Sequence, residues 1–214
     1  MLVKIKFIID LFKNPSSLLE LKKWYFYYKQ KNRTPLDYEI PWMTFKAINY
    51  LSSFLQKDME LFEYGSGGST LFFARKVKKI ISIEHDKSWY NYEINKLKEI
   101  SNLELFLIEP EKQGKFSNKR KGYRKVFFDK YVNSIDKFEK FDVIIVDGRQ
   151  RNICFQKAVY HIKKGGIIVF DNFDREYYQK SLNEIDDTFE IINFQGFVPF
   201  GTMQSLTTIF KKKL

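Results

Sequence analysis

From Pro41 onward, short apolar runs of strand length alternate with longer stretches whose apolar residues recur at helical spacing. The runs are Met59 to Tyr64, Ile80 to Ile83, Leu103 to Ile108, Phe141 to Val146, and Ile167 to Phe170, the last entered through Gly165-Gly166. Between them the spacing predicts helices at Ser69 to Lys76, Trp89 to Ile100, about Tyr123 to Ile135, and Asn152 to Lys163. Strands that alternate with helices build a parallel sheet covered on both faces. Phe141 to Val146 is apolar but for Asp142, as a central strand buried on both sides requires. Phe189 to Phe194 and Leu206 to Phe210 are joined by a loop holding Gly196, Pro199 and Gly201, which predicts a hairpin at the end of the sheet.

Residues 1–40 carry a different pattern. Leu2, Ile5, Ile8, Ile9 and Phe12, then Leu18, Leu19 and Leu21, recur at helix-like intervals among many lysines. Two basic amphipathic helices fit, broken near Asn14-Pro15-Ser16, with Pro35 and Pro41 bracketing a linker from Thr34 to Ile40. The chain therefore divides into a helical extension, 1–40, and a domain, 41–214. The extension has three readings: packing on the domain, lying on anionic lipid, or contact with another copy.

Composition narrows the class. The 214 residues hold 37 Lys plus Arg against 26 Asp plus Glu, a formal net charge of +11, and 44% are hydrophobic. That is too much apolar material for a disordered chain and suits one packed domain. Cys154, the only cysteine, excludes a disulfide scaffold, and no Cys or His cluster stands near it with zinc-ligand spacing. Lys4 and Lys6 precede Phe7-Ile8-Ile9, but that run ends at Asp10, short of a signal-peptide core or a membrane span. The expectation is a soluble cytoplasmic protein, with peripheral membrane contact through residues 1–40 left open.

In an open parallel sheet, ligands bind beyond the carboxyl ends of the strands. After the first run comes Glu63-Tyr64-Gly65-Ser66-Gly67-Gly68-Ser69-Thr70, a glycine-rich turn that opens into a helix. After the second comes Glu84-His85-Asp86, with Glu84 19 residues beyond Gly65, where an acid can take both hydroxyls of a ribose. A phosphate-cradling P-loop needs a Gly-Lys-Ser/Thr ending, and this turn has no lysine. A GxGxxG dinucleotide fingerprint needs glycine where Thr70 stands. A generic tight turn is the plain alternative.

Glu63-Tyr64-Gly65-Ser66-Gly67 resembles the acidic-x-Gly-x-Gly turn of the class I S-adenosylmethionine-dependent methyltransferases. The far half is similar too: Phe141 to Val146 leads into Asp147-Gly148-Arg149-Gln150-Arg151, a helix, Gly165-Gly166, and a strand ending in Asp171-Asn172. The resemblance covers roughly residues 59–210. It implies an α/β, Rossmann-like, seven-stranded, mostly parallel sheet with helices on both faces and a C-terminal antiparallel hairpin, joined to the N-terminal helical extension. It also implies that S-adenosylmethionine is held by Glu63, Tyr64, Gly65, Ser66, Gly67, Gly68, Ser69 and Thr70 at its methionine end. Glu84 would take the ribose, with His85 at the cofactor edge, Ile108 and Glu109 near the adenine, and Asp147 at the junction of cofactor and substrate.

In the catechol and caffeoyl-coenzyme A O-methyltransferase branch, an Asp and an Asp-Asn pair bind a divalent cation. The matching positions are Asp147, Asp171 and Asn172, hard oxygen donors that suit Mg²⁺. That branch has a lysine base three residues after the first Asp, where this chain has Gln150. Arg149 and Arg151 stay protonated and are poor bases, so Asp147 is the first choice of general base. His161 reads as a helix-end residue.

Glu111 to Lys125 carries Lys112, Lys115, Lys119, Arg120, Lys121, Arg124 and Lys125. It is read as a solvated loop, a lid over an anionic acceptor, or a nucleic-acid contact. The leading expectation is O-methylation of a small-molecule or glycan-like, anionic acceptor. The alternatives are an RNA methyltransferase using residues 111–125 and a non-catalytic scaffold that retains the cofactor fold.

Overall fold

The computed structural model describes residues 11, 14–117 and 125–214. Seven strands form one sheet in the order β3-β2-β1-β4-β5-β7-β6. They are β1 (Glu60–Tyr64), β2 (Lys79–Glu84), β3 (Leu103–Leu107), β4 (Phe141–Val146), β5 (Ile162–Phe170), β6 (Phe189–Phe197) and β7 (Gln204–Lys212). β1 to β5 run parallel, and β7 is antiparallel to both β5 and β6. The order reverses direction between β1 and β4, so the turns that follow these two strands flank the crevice where such sheets bind ligands.

Alternation sets the two core layers. Leu61, Val143, Ile145, Val169 and Ile209 face one side, against Phe45, Ile48 and Leu51 of helix α2 (Phe45–Phe54) and Phe73. Phe62, Ile144, Val146, Ile168 and Phe210 face the other, against Tyr131 and Phe155. β4 and the Ile167–Phe170 end of β5 are buried on both faces, which is why those stretches read as apolar runs. Truncating one such residue, Ile144 for example, costs about 2–5 kcal/mol.

The remaining helices are α1 (Leu21–Tyr28), α3 (Gly68–Ala74), α4 (Lys87–Leu97), α5 (Asp129–Val132), α6 (Arg151–His161) and α7 (Glu176–Gln179). α2 is absent from the reading by pattern, although Phe45, Ile48 and Leu51 have helical spacing. The helix expected from about Tyr123 shortens to α5 plus a 3-10 turn, Asn133–Lys137, with residues 123 and 124 outside the described set. Phe127 exchanges backbone hydrogen bonds with Glu111, which holds the preceding chain extended.

Of the two N-terminal helices, the first falls mostly outside the described residues. The second is a 3-10 turn, Pro15–Glu20, followed by α1. Trp24 donates to the Gly201 carbonyl at 2.8 Å and stacks on Phe197, and the Glu20 carboxylate accepts from Phe197 N. The Thr34–Ile40 stretch holds a 3-10 turn, Pro35–Tyr38, and the Pro35 and Ile40 carbonyls press on Gly68 so closely that a Cβ there would collide with both. Among the described residues no helix is long and apolar enough to cross a membrane.

Candidate active site

The turn after β1 needs glycine at 65, where φ is +92° and an added Cβ would stand 3.0 Å from the Gly148 Cα. The turns after β1 and β4 therefore lie back to back. Glu63, fully buried beneath the turn, accepts from Ser69 Oγ at 2.5 Å, Thr70 Oγ1 at 2.6 Å and Ser82 Oγ at 2.6 Å. Burial pushes its pKa up to about 7, against the pull of the three hydroxyls. Thr70 Oγ1 also accepts from Gly67 N at 2.9 Å, so Glu63 shapes the turn through the first residues of α3. Tyr64 turns the other way, into the core, where its hydroxyl donates to the Val132 carbonyl at 2.8 Å; that side chain is structural.

Glu84 reaches the same turn from β2. Its Oε2 accepts from Ser66 N at 3.2 Å, and its Oε1 accepts from His85 N at 2.8 Å and Asp86 N at 2.7 Å and stands 2.9 Å from His85 Nδ1. Burial opposes its ionisation, but the hydrogen bonds from His85, Asp86 N and Ser66 N hold it below the usual carboxylate range. Glu63 and Glu84 thus hold one turn from two sides. Trp89 donates from its indole to the Ser66 carbonyl at 2.9 Å, and Glu93 meets the Ser66 hydroxyl. Burial raises Glu93 to about 8, with the charges of Glu84 and Glu63 adding to the shift.

Arg149, beyond β4, reaches across the end of β1 and donates from Nε to His85 Nε2 at 3.1 Å. Ile108 N donates to the Glu84 carbonyl at 2.7 Å, while the Glu109 side chain points outward, 3.4 Å from Lys87 Nζ. His161 pairs with Asp136 at the far end of α6, away from these turns.

A cavity of about 1070 Å³ opens beyond β4 and β5. Its walls include Asp147, Asp171, Asn172, Arg149, Arg151 and Arg175, two carboxylates against three guanidinium groups. Trp42 and Met203 add apolar surface. The glycine turn, Glu63 and Glu84 are not among its lining residues; the nearest shared structure is the Gly65–Gly148 contact. Burial raises the Asp147 pKa, and the charges of Arg151, Arg175 and Arg149 oppose it. Burial and the neighbouring Asp147 charge raise Asp171 to about 7.

The proposed cation ligands do come together, but not around an open site. The Arg151 guanidinium lies among them, with Nη2 2.6 Å from Asp147 Oδ1 and Nη1 3.2 Å from Asn172 Oδ1 and 3.7 Å from Asp171 Oδ2. A divalent ion and a guanidinium cannot share that space, so Mg²⁺ does not fit this donor set. Among the described residues no group of three or more His, Cys, Asp or Glu side chains is arranged to hold a metal. Gln150, at φ +52° ahead of α6, donates to the Phe116 carbonyl at 3.1 Å, and Ser117 lines the cavity. The start of the basic segment thus borders the cavity; residues 118–124 lie outside the described set.

Sequence reading passed over Arg175, Trp89 and Glu93, and weighed Arg149 and Arg151 only as bases. Arg151 had a local signal, since it stands four residues after Asp147 at the start of a helix.

No family profile and no curated protein matches the chain. Solved structures with the same fold include an rRNA methylase from Streptococcus thermophilus, 16% identical with a TM-score of 0.55, the match covering 78% of this chain and 93% of that one. A methyltransferase candidate from Streptococcus mutans in complex with SAH is 15% identical, with a TM-score of 0.53 and coverage of 84% and 98%. Precorrin-6y C5,15-methyltransferase from Geobacter metallireducens is 13% identical, with a TM-score of 0.53 and coverage of 78% and 88%. The chain has the class I S-adenosylmethionine-dependent methyltransferase fold.

Proposed function

We propose that this protein is an S-adenosylmethionine-dependent methyltransferase acting on oxygen of a small-molecule or glycan-like acceptor that carries negative charge. The observation that carries this reading is the convergence of Glu63 and Glu84 on one glycine turn, back to back with the Asp147-Gly148 turn at the mouth of a large cavity. The residues suit the cofactor: a positive-φ glycine turn for the methionine end and, on Glu84, an ionised carboxylate for ribose hydroxyls. Glu109 would border the adenine. When bound, S-adenosylmethionine supplies a methyl carbon on a sulfonium, open to in-line displacement by an oxygen nucleophile.

The chain's own residues do the rest. Asp147 lines the cavity beside the turn, and its raised pKa suits it to take the proton of an acceptor hydroxyl. Three guanidinium groups against two carboxylates leave the cavity positive, which favours a phosphate or carboxylate on the acceptor. Calorimetric titration with S-adenosylhomocysteine tests the cofactor half. Binding is expected in the wild type and is expected to fall at least about tenfold in Glu84→Ala, which removes a charge-assisted pair of hydrogen bonds; a flat wild-type trace would leave the scaffold reading. RNA binding that survives about 0.2 M salt would turn the reading toward an RNA acceptor.

Peripheral attachment to anionic lipid is a second reading, favoured by the outer face of the N-terminal segment. Leu19 is 90% exposed and Leu18, Tyr25 and Phe26 about half, beside Lys22 and Lys29. Glu20, the only acid between Asn14 and Thr34, is turned inward to Phe197 N. Co-sedimentation with vesicles containing phosphatidylglycerol, and not with neutral vesicles, is the expected result; recovery in the supernatant with both removes this reading.

A further inference from the structure

The Asp147, Asp171 and Asn172 side chains are gathered as a cation site would gather them, and the cation among them is a side chain of the protein. A guanidinium has five N–H donors. On Arg151, Nε donates to the Gly148 carbonyl at 3.2 Å. Nη1 donates to the Asp171 carbonyl and to Asn172 Oδ1 at 3.2 Å. Nη2 donates to the Asp147 carbonyl at 2.8 Å and pairs with Asp147 Oδ1 at 2.6 Å. All five donors are therefore used, on acceptors from the turn after β4 and the turn after β5.

The surroundings hold this arrangement from outside. Thr207 Oγ1 donates to Asp171 Oδ1 at 2.9 Å, Asn172 Nδ2 donates to Ser205 Oγ at 3.1 Å, and the Tyr178 ring lies 5.6 Å from the Arg151 guanidinium carbon. The guanidinium is buried and has no spare donor for an acceptor molecule. Arg151 is the first residue of α6, and Asp147 lies four residues earlier in the turn that leads from β4 into that helix, so the cation arrives with the fold and not from solution.

We infer that Arg151 is the resident cation of this site, a positioning residue that clamps the turns after β4 and β5 where a divalent metal would otherwise sit. The site is therefore metal-independent, and an acceptor is not chelated through two of its oxygens. Arg151 acts on the acceptor only through Asp147 and Asn172, whose orientations it sets. The inference stands on the side-chain geometry and does not depend on which acceptor is methylated.

Manganese titration followed by electron paramagnetic resonance tests it, because bound Mn²⁺ loses the free-ion signal. The wild-type protein is expected to bind no Mn²⁺ at this site. Arg151→Ala vacates the space between three oxygen donors and is expected to gain one site, with an affinity of about 0.1–1 mM for so few ligands. Mn²⁺ should also restore part of the melting temperature the variant loses, and adding Asp171→Asn should abolish both effects. Arg151→Met, which keeps the aliphatic stem and removes the charge, guards against collapse of the alanine variant and should gain the same site. Arg151→Lys, whose ammonium still fills the space, should gain none. A structural role alone would lower stability without creating a manganese signal. The inference is overturned by a wild-type Mn²⁺ site that Asp171→Asn removes, or by folded Ala or Met variants that bind no Mn²⁺. S-adenosylhomocysteine titration of the same samples reports separately on the methyltransferase reading.

Discussion

At the ends of β1 and β2, Glu63 is held by hydroxyls and Glu84 by backbone N–H groups and the His85 ring, whereas at the ends of β4 and β5, Asp147 and Asp171 are held by a guanidinium. With no arginine among the described residues on either carboxylate, the first half of the rim stays acidic in character, with Glu63 raised to about 7 and Glu84 held ionised. An ionised Glu84 beneath the turn suits a ligand rich in hydroxyls and carrying positive charge. The second half is overcompensated by arginine and suits a negatively charged partner. Two ligands of opposite character could meet where Gly65 and Gly148 touch. The halves also differ in openness: the cavity lies on the arginine side, while His85, Trp89 and Arg149 lie over the acidic side.

The sharpest way to break this contrast is Glu63→Ala. It strands two buried hydroxyls, Thr70 and Ser82, and the half-buried one of Ser69, so a loss of about 3 kcal/mol is expected, seen as a melting temperature lower by roughly 6–12 °C, together with loss of S-adenosylhomocysteine binding. Unchanged binding would show that Glu63 does not shape the cofactor side. Next in size is Arg175→Ala. Arg175 stands at the cavity with its Nη1 on Tyr177 Oη, so its removal should raise the KM of an anionic acceptor about 10–100-fold while leaving S-adenosylhomocysteine affinity alone. Parallel losses in both would dissolve the division between the halves.

A smaller effect separates Glu93 from Glu84. Glu93 is held protonated to about pH 8, against 4.5 for the exposed group, so below 4.5 folded and unfolded chains both carry the proton and nothing is lost. As pH rises from 4.5 toward 8, the unfolded chain releases that proton while the folded one retains it, and stability falls. Glu93→Gln should remove this decline, so in melting curves across that range the variant gains on the wild type as pH rises; parallel curves would refute the assignment. The smallest effect expected is that of Arg149→Ala. It removes the bridge to His85, and S-adenosylhomocysteine affinity should rise by up to about tenfold, the worth of one hydrogen bond that binding must otherwise break. A fall in affinity would place Arg149 on the cofactor instead.

Most strands were legible because their signal is local. Phe141 to Val146 coincides with β4, and the first three runs differ from β1, β2 and β3 by one or two residues at their ends. β5 begins earlier than its apolar run, at Ile162, with a register shift against β4 that the two glycines accommodate. The helix expected before Asp129 was misjudged because Phe127 pairs with Glu111, sixteen positions back, a partner that no helical periodicity can indicate.

What the sequence determined by itself is the fold class and the acidic and glycine-rich turns, since alternation, turn chemistry and the order of strands and helices depend on residues a few positions apart. What only the tertiary structure decided is how those turns are balanced. Arg151 meets Asp171 twenty positions away, Arg149 meets His85 sixty-four positions away across the end of β1, and Glu93 meets Ser66 from a separate helix. Such pairings arise from sheet order and helix placement, which bring distant charges within a few ångströms, so the same Asp, Asp and Asn that read as metal ligands become the partners of an arginine.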